Sequence, residues 1–345
     1  MTQKMKAVFL TDYGKDKKNF ELRETEQPTI EPGEVLIQCE GFGLNYADVM
    51  ARQGLYKGAP PVPCVLGYDV VGIVKQVGSN RDKDWIGKRV VGLTRFGGYA
   101  EYSKTKVSAI AEVPRNWSIA EATAIATQYC TAYYASQYIT NLHQGDRVLI
   151  HAAAGGVGTA LTQIAKAKGC LVFGLTSSQE KIEYLLKNGV NFPINISEKN
   201  YHEEFLKLSN GVKADVIFNS IGGESLKKDF GILSISGRLI NYGAASISGK
   251  KPNLFTLLGL LRKTPKIKPL KLLGKSSGIM GVNMLTVGDV KPEVISECMK
   301  SVIELIQENP QIRPISGGEF PASEIIQAHD LLASRKSTGK IGITW

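Results

Sequence analysis

Short apolar segments separated by turn residues make up the first third of the chain. MKAVFL, the alternating VLIQCEGFG, VLGYDVVGIVKQVG and KRVVGL have the length and composition of strands. Turns are indicated between them at Pro32-Gly33, Pro60-Pro61 and Gly97-Gly98. This pattern predicts a compact, mostly β domain.

From about Ser118 the pattern changes to helical segments alternating with continuous apolar runs such as DRVLIHAAA, CLVFGLTSS and ADVIFNSIGG. Alternation of this kind predicts βαβ units, and continuous apolar strands indicate a parallel sheet covered by helices on both faces. Two amphipathic helices and a strand, IGITW, follow from about Lys291 and are expected to return to the first domain. We therefore predict an α/β protein with a mostly β domain over 1–125 and 289–345 and a doubly wound domain over 126–288.

Length and composition agree with this organisation. A chain of 345 residues with 43% hydrophobic and 21% charged residues is typical of a two-domain globular protein. We find neither an apolar run of about 20 residues nor a signal peptide, so a cytoplasmic location is expected. The five cysteines form no CxxC pair, which disfavours a disulfide framework and a thiolate metal site.

The formal net charge of +10 is concentrated in one segment, because no acidic residue lies between Asp229 and Asp289. Residues Asn253 to Lys275 combine NLFTLLGLL with the lysine-rich PKIKPLKLLGK. Peripheral contact with an anionic membrane is one interpretation, and a surface helix or lid beside a substrate cleft is the favoured one. Nucleic-acid binding is not expected, because no aromatic-interleaved basic motif is present.

The strongest chemical signal is the strand Val148–Ile150 followed by a small-residue turn and a helical pattern. Dinucleotide-binding folds need small residues in this turn for backbone approach to a pyrophosphate and for close helix packing. The start of the following helix also offers backbone amides to the phosphates. An ordinary strand-to-helix turn is the alternative. The predicted cofactor contacts in this turn are Ala153, Gly155, Gly156, Val157 and Gly158.

The second strand of this domain ends in Thr176-Ser177, with Lys181 beyond. NAD-specific sites usually place an acidic residue at this strand end, and a carboxylate there would repel a 2′-phosphate. Hydroxyls and a lysine would accept that phosphate, so NADPH is expected rather than NADH, although Lys181 could instead be a solvated surface lysine. The ends of later strands, where this fold binds ligands, add Ser220, Tyr242, Gly243 and Ala244.

Taken together, the motifs resemble the medium-chain dehydrogenase/reductase superfamily, in its zinc-independent quinone oxidoreductase (zeta-crystallin-like) branch, and most of all its vesicle amine transport protein subfamily. The resemblance spans nearly the whole chain. The landmarks are GLNYAD from Gly43, GYDVVG from Gly67, FGGYAEY from Phe96, Thr131-Ala132-Tyr133, HAAAGGVG from His151 and Gly339-Lys340.

The resemblance implies a GroES-like catalytic domain, a Rossmann domain and a cleft between them for the nicotinamide. Many such proteins are homodimers, and the strand around Ile279 to Met284 is the pairing edge expected here. It also implies cofactor contacts at Asn45, Thr127, Thr131 and Lys340. One departure concerns Ile196, since relatives often carry a tyrosine there that covers the 2′-phosphate.

Zinc-dependent relatives hold their metal with residues that are missing here. Asn45 takes the place of the first cysteine, Tyr68-Asp69 that of a histidine-glutamate pair, and Thr127 that of a further ligand. Zinc prefers thiolate and imidazole ligands. We therefore expect no metal.

The resemblance implies a hydride transfer to a quinone or another activated α,β-unsaturated carbonyl compound. Asn45 is the first candidate to polarise the carbonyl, with turn stabilisation as the alternative role. Asp48 is expected to order the loop through backbone amides unless burial raises its pKa, in which case it could act as an acid. Tyr56 and Tyr68 are further catalytic candidates. The competing function is a non-catalytic NADPH-binding protein that acts at a membrane surface or with a protein partner.

Overall fold

The computed structural model describes residues 3–14, 19–249, 258–259 and 262–345. Sixteen strands are found in these ranges. They are β1 Lys4–Leu10, β2 Phe20–Glu26, β3 Glu34–Leu44, β4 Cys64–Val65, β5 Asp69–Val77, β6 Arg89–Leu93, β7 Tyr102–Lys106, β8 Ile110–Glu112, β9 Arg147–Ile150, β10 Leu171–Thr176, β11 Phe192–Asn195, β12 Ala214–Asn219, β13 Leu233–Asn241, β14 Gly278–Gly281, β15 Ser316–Pro321 and β16 Lys340–Thr344.

Helices alternate with the strands mainly in the second half of the chain. The α-helices of the described ranges are α1 Tyr46–Arg52, α2 Ile119–Ala124, α3 Cys130–Tyr133, α4 Gly156–Ala167, α5 Ile182–Lys187, α6 Tyr201–Leu208, α7 Ser225–Ile232, α8 Pro269–Lys275, α9 Met284–Val290, α10 Pro292–Glu308 and α11 Ile325–Ala333.

The chain divides into two compact units. The first comprises 1–130, 284–308 and 313–345, and the second comprises 131–283 with 309–312. The sequence placed the divisions at 125/126 and 288/289. Both the amino-terminal and the carboxyl-terminal parts of the chain thus contribute to the first unit.

The first unit is built on antiparallel strands. Its larger sheet runs β15-β16-β3-β5-β6-β8, with β7 also paired to β3, and a smaller sheet runs β2-β1-β4. Alternation along β3 explains its orientation, because Ile37 and Cys39 are buried while Gln38 and Glu40 are exposed. This is the GroES-like, mostly β domain that the sequence predicts.

The second unit contains one six-stranded sheet in the order β11-β10-β9-β12-β13-β14, and all its pairings are parallel. The strand order reverses after β9, which makes the carboxyl end of β9 the topological switch point where such sheets bind ligands. The central strands are buried almost throughout, as their continuous apolar sequence requires. The doubly wound Rossmann-type fold is confirmed.

The helical segment that follows Ser118 departs from regular α geometry twice. α2 runs into a π-helical stretch at Ile125–Tyr129, and α3 runs into a second one at Tyr134–Tyr138. Thr131 lies well inside this segment, in α3. Such π stretches insert an extra residue per turn and are frequent at functional sites.

The basic apolar segment is only partly visible, because 250–257 and 260–261 lie outside the described residues. In the described part, α8 exposes Leu270 and Leu273. No helix in the described ranges combines the length and apolar composition that crossing a bilayer requires. β14 lies at the edge of its sheet and ends at Gly281, with Met284 already in α9. Pairing of two chains through this edge remains a prediction.

Candidate functional site

A buried polar cluster in the first unit gathers three of the residues singled out in the sequence, together with Asp69. Lys340 Nζ donates to Asn45 Oδ1 at 3.0 Å and to Asp69 Oδ2. Asn45 Nδ2 donates to Asp69 Oδ2 at 2.6 Å, and the Thr127 hydroxyl donates to Asp69 Oδ1. Lys340 and Asp69 are fully buried, so the ammonium and the carboxylate neutralise each other away from water.

Strand register explains why residues so distant in sequence meet. β3 lies between β16 and β5, with Leu44 opposite Ile341 and Gly43 opposite Asp69. The ends of three neighbouring strands thus place Lys340, Asn45 and Asp69 side by side. Gly43 is required here, because a Cβ at this position would come within 2.3 Å of the Lys340 Cε atom.

The cluster fixes the orientation of the Asn45 amide. Its oxygen faces the Lys340 ammonium, and its nitrogen faces the Asp69 carboxylate. In the reverse orientation the amide NH₂ would face the Lys340 ammonium and the amide oxygen would face the Asp69 carboxylate, so neither hydrogen bond could form. An amide nitrogen carries two hydrogens, and Asp69 takes one of them, so the geometry leaves a second N–H for another acceptor.

The donor set does not suit zinc. Asn45, Asp69 and Thr127 converge as their places in zinc-dependent relatives imply, but they offer neither thiolate nor imidazole, and a lysine nitrogen is bonded to two of them. In the described parts of the chain, no three His, Cys, Asp or Glu side chains are grouped to hold a metal ion.

Asp48 lies beside this cluster in the first turn of α1 and is fully buried. Its Oδ2 accepts the Asn45 backbone N–H at 2.8 Å, which is the loop-ordering role predicted for it. Burial, and to a smaller extent the neighbouring Asp69 carboxylate, raise the pKa of the Asp48 carboxyl to about 7, although the Asn45 backbone N–H, the Lys340 charge and the Tyr99 hydroxyl act to lower it. Asp48 therefore holds a proton up to about neutral pH. A raised pKa is the condition stated above under which Asp48 could act as an acid.

The two tyrosine candidates lie together. The Tyr56 and Tyr68 rings meet edge to face at a centroid distance of 6.4 Å, and Tyr68 also packs on Phe96. Tyr68 is buried and Tyr56 half-buried, so Tyr56 is not an exposed loop residue. Burial raises the pKa of both phenols, and the Asp48 charge adds to this, so both hydroxyls stay protonated.

In the second unit the predicted dinucleotide turn connects β9 to α4, which begins at Gly156. Gly155 is its N-cap, and Gly156 to Gly158 form the first helical turn, where amides have no helical acceptor. A Cβ on Gly158 would lie 2.4 Å from the Ala152 carbonyl oxygen. This glycine therefore allows the close packing of helix on turn that a pyrophosphate-binding loop needs.

The end of β10 presents the residues predicted to contact a 2′-phosphate. Thr176 ends the strand, Ser177 is exposed, and Lys181 is half-buried on a short 3₁₀ turn, where burial lowers its pKa. No acidic residue occupies the strand end itself, although the exposed Glu180 precedes Lys181. Ile196 is exposed, so the departure seen in the sequence leaves an apolar side chain on the surface.

Ser220 follows β12, and Tyr242 to Ala244 follow β13, at the same edge of the sheet. A Cβ on Gly243 would lie 2.5 Å from the Ser220 carbonyl oxygen, so the two segments are in close contact. The Ser220 hydroxyl is buried and interacts with the Tyr242 hydroxyl, so the two strand ends are also linked through their side chains.

Sequence reasoning missed two members of these arrangements. Asp69 was noted only as a replaced metal ligand, although it bonds Asn45, Thr127 and Lys340. Asp229 received no role, although it bonds the His151 side chain in the dinucleotide turn. His151 itself is buried. Buried charges rarely stand without partners, but sequence alone does not reveal which partners they have.

Comparisons with known proteins agree with the architecture. Residues 31–115 match the alcohol dehydrogenase GroES-like domain family, and 156–306 match the zinc-binding dehydrogenase family. The chain is 32% identical to a synaptic vesicle membrane protein VAT-1 homolog of Danio rerio, over 98% of this chain and 70% of that protein. It is 30% identical to a quinone oxidoreductase of Rattus norvegicus, over 91% of this chain and 89% of that protein.

Among solved structures, the mycobacterial protein Rv1454c complexed with NADPH superposes with a TM-score of 0.83 at 26% identity, over 99% of this chain and 100% of that chain. The relatives, the domain matches and the two-unit fold point in one direction. The chain belongs to the medium-chain dehydrogenase/reductase superfamily, in the branch that contains the quinone oxidoreductases and the VAT-1 homologues.

Proposed function

We propose that this protein is a zinc-independent, NADPH-dependent oxidoreductase that reduces a quinone or another activated α,β-unsaturated carbonyl compound. The observation that carries the proposal is the buried Lys340–Asp69–Asn45–Thr127 cluster, which orients the amide of Asn45, a residue that the sequence resemblance aligns with a zinc ligand. A relative named quinone oxidoreductase, at 30% identity, supports the substrate class.

The second unit fits NADPH in two respects. The glycine turn at the switch point offers free helix amides, and the β10 end carries hydroxyls and Lys181. When bound, NADPH supplies the hydride. A solved structural relative with NADPH supports the same assignment.

The first unit supplies the polar groups for the substrate. The remaining Asn45 N–H is a donor for a carbonyl oxygen on which negative charge grows during reduction. Lys340 stabilises this arrangement because it fixes the orientation of the Asn45 amide. Since a quinone or enone is already activated by conjugation, this donor suffices without a Lewis acid, and solvent delivers the final proton.

Replacing Asn45 with alanine tests this role. Loss of a single donor to a developing oxyanion lowers kcat by roughly 10²- to 10³-fold. We expect Asn45→Ala to show this loss in quinone reduction, and a fluorescence titration with NADPH separates the lost turnover from any weaker binding caused by loss of the predicted Asn45 cofactor contact. Thermal unfolding serves as the control, because the substitution also leaves Lys340 and Asp69 one partner short. Unchanged turnover in a folded Asn45→Ala variant would refute the role.

Cofactor preference gives a second test. Ser177→Asp puts a carboxylate at the β10 end, where it would repel a 2′-phosphate but not a ribose hydroxyl. We expect the Kd for NADPH to rise at least ten-fold, which corresponds to about 1.4 kcal/mol, with the Kd for NADH no weaker than before. Ser177→Asn is the matched uncharged control. Equal losses for both cofactors in the aspartate variant would place the 2′-phosphate elsewhere.

A binding protein without turnover is the second candidate. Helix α8 exposes 77% of Leu270 and 75% of Leu273 beside the exposed Lys268 and Lys271, a composition suited to an anionic lipid surface. The relative named synaptic vesicle membrane protein is compatible with this function. Flotation with anionic liposomes, combined with NADPH binding but no turnover of any quinone or enone, would favour it.

A further inference from the structure

A buried carboxylate in the second unit holds together the segments that the sequence assigns to the cofactor. Asp229 is fully buried in α7 and makes three side-chain contacts. Its Oδ1 accepts the Tyr201 hydroxyl at 2.9 Å and lies 3.0 Å from His151 Nε2, and its Oδ2 accepts from Asn219 Nδ2.

His151 is the first residue of the dinucleotide turn. It follows β9 directly, its backbone N–H donates to the Phe218 carbonyl, and its ring meets Tyr201 edge to face at 5.3 Å. Only a few residues separate this ring from the amides at the start of α4. The Asp229 contact therefore anchors the amino-terminal side of the pyrophosphate-binding turn.

Asn219, the last residue of β12, connects Asp229 to the end of this neighbouring strand. While Nδ2 bonds Asp229, its Oδ1 accepts the backbone N–H groups of Ile221 and Gly222 at 2.7 and 2.8 Å. These bonds shape the segment after β12 that begins with Ser220. Gly222 has a φ of +69°, and a Cβ there would come within 2.9 Å of the Gly243 carbonyl oxygen. Because of this close approach, the conformation of the 220–222 segment also constrains the segment after β13.

We infer that Asp229 is a positioning residue for the dinucleotide: through His151 and Asn219 its carboxylate fixes the pyrophosphate turn and the 220–222 segment in their binding conformations together. This inference rests on the proposed NADPH function. Asp229 does not itself touch the cofactor, and the adenosine-end residues Ser177 and Lys181 belong to β10 and its following turn, outside this network.

The separation between the two ends of the site provides the test. NADPH spans both the network-supported turns and the β10 end, whereas adenosine 2′,5′-bisphosphate needs only the β10 end. Asp229→Asn sets an amide nitrogen or a weaker acceptor against the Asn219 nitrogen and so loosens both turns. We expect its Kd for NADPH to rise at least ten-fold, while its Kd for adenosine 2′,5′-bisphosphate stays within two-fold of the wild-type value by calorimetry.

A gentler variant and a rescue complete the design. Tyr201→Phe removes one hydroxyl donor and leaves the His151 and Asn219 contacts, so a two- to five-fold rise in the NADPH Kd is expected with no change for the bisphosphate. The exchange Asn219→Asp with Asp229→Asn restores a carboxylate-amide pair and should recover most NADPH affinity. If Asp229→Asn does not fold, Tyr201→Phe and the exchanged pair carry the test.

Equal weakening of both ligands, or unchanged NADPH affinity in Asp229→Asn, overturns the positioning role and leaves the proposed function intact. If the wild-type protein does not bind NADPH, whether or not it binds the bisphosphate, the cofactor assignment is overturned and the inference falls with it.

Discussion

Lys340→Met is expected to destabilise the protein by about 3–5 kcal/mol, the usual cost of removing one partner from a buried ion pair. The substitution leaves the Asp69 carboxylate fully buried with only the neutral donors Asn45 and Thr127. It also removes the charge that sets the Asn45 amide orientation. Urea unfolding at neutral pH, followed by circular dichroism, gives the free energy directly.

The control for this prediction is the double variant Lys340→Met with Asp69→Asn. Because the second change removes the uncompensated charge, it should recover a large part of the lost stability although it deletes another polar group. Lys336→Met, at an exposed lysine of the same carboxyl-terminal segment, should have little effect. A Lys340→Met variant as stable as wild type would show that the ammonium is not needed to neutralise Asp69.

Asp48→Asn is expected to stabilise the protein at neutral and alkaline pH. The folded state keeps a proton on Asp48 up to about pH 7, whereas the unfolded chain releases it near the ordinary pKa of 3.8. Unfolding therefore becomes easier as the pH rises through this window. Asparagine keeps an oxygen for the Asn45 N–H and never ionises. The advantage of the variant should grow from near zero at about pH 4 to about 4 kcal/mol at pH 8.

His329 makes this difference easier to recognise. Burial lowers its pKa to about 3 from 6.5, and its Nε2 contacts the Tyr99 hydroxyl at 3.1 Å. The unfolded chain takes up a proton at this histidine below about pH 6.5, so stability falls with falling pH, opposite to the Asp48 contribution. Wild type should be nearly flat between about pH 4 and 6.5, while Asp48→Asn rises steadily. Asp84→Asn, at an exposed aspartate, is the control. Parallel pH curves for Asp48→Asn and wild type would contradict the buried-acid assignment.

Much of the architecture could be predicted because local patterns determine it. The continuous apolar strands before His151 and before Thr176 already indicate parallel strands between helices, and the glycine spacing up to Gly158 marks the switch point. The β3 alternation likewise follows from one buried and one solvated face. Sequence periodicity did not reveal the π-helical stretch that contains Thr127, which is a local departure from the regular helical turn.

Long-range polar pairing was the part that sequence could not supply. Lys340 lies 295 residues from Asn45, and Asp229 lies 78 residues from His151. Each is an unremarkable charged residue until strand register or helix packing brings it to its partner. Lys340 was predicted to contact the cofactor, and that contact remains a prediction, but the structure engages its ammonium in the buried cluster. Asn45 is held by the fold through its bonds to Lys340 and Asp69, which agrees with the structural role left open for it, and polarisation of a substrate carbonyl stays a prediction.

The most direct test of the account is NADPH oxidation by the purified protein, followed at the absorbance band of the reduced nicotinamide, with a panel of quinones and enones and with NADH in parallel. We predict turnover of at least one such acceptor with NADPH far above NADH, and loss of that turnover in Asn45→Ala. Tight NADPH binding without turnover of any acceptor, or turnover abolished by a zinc chelator, would contradict a zinc-independent reductase.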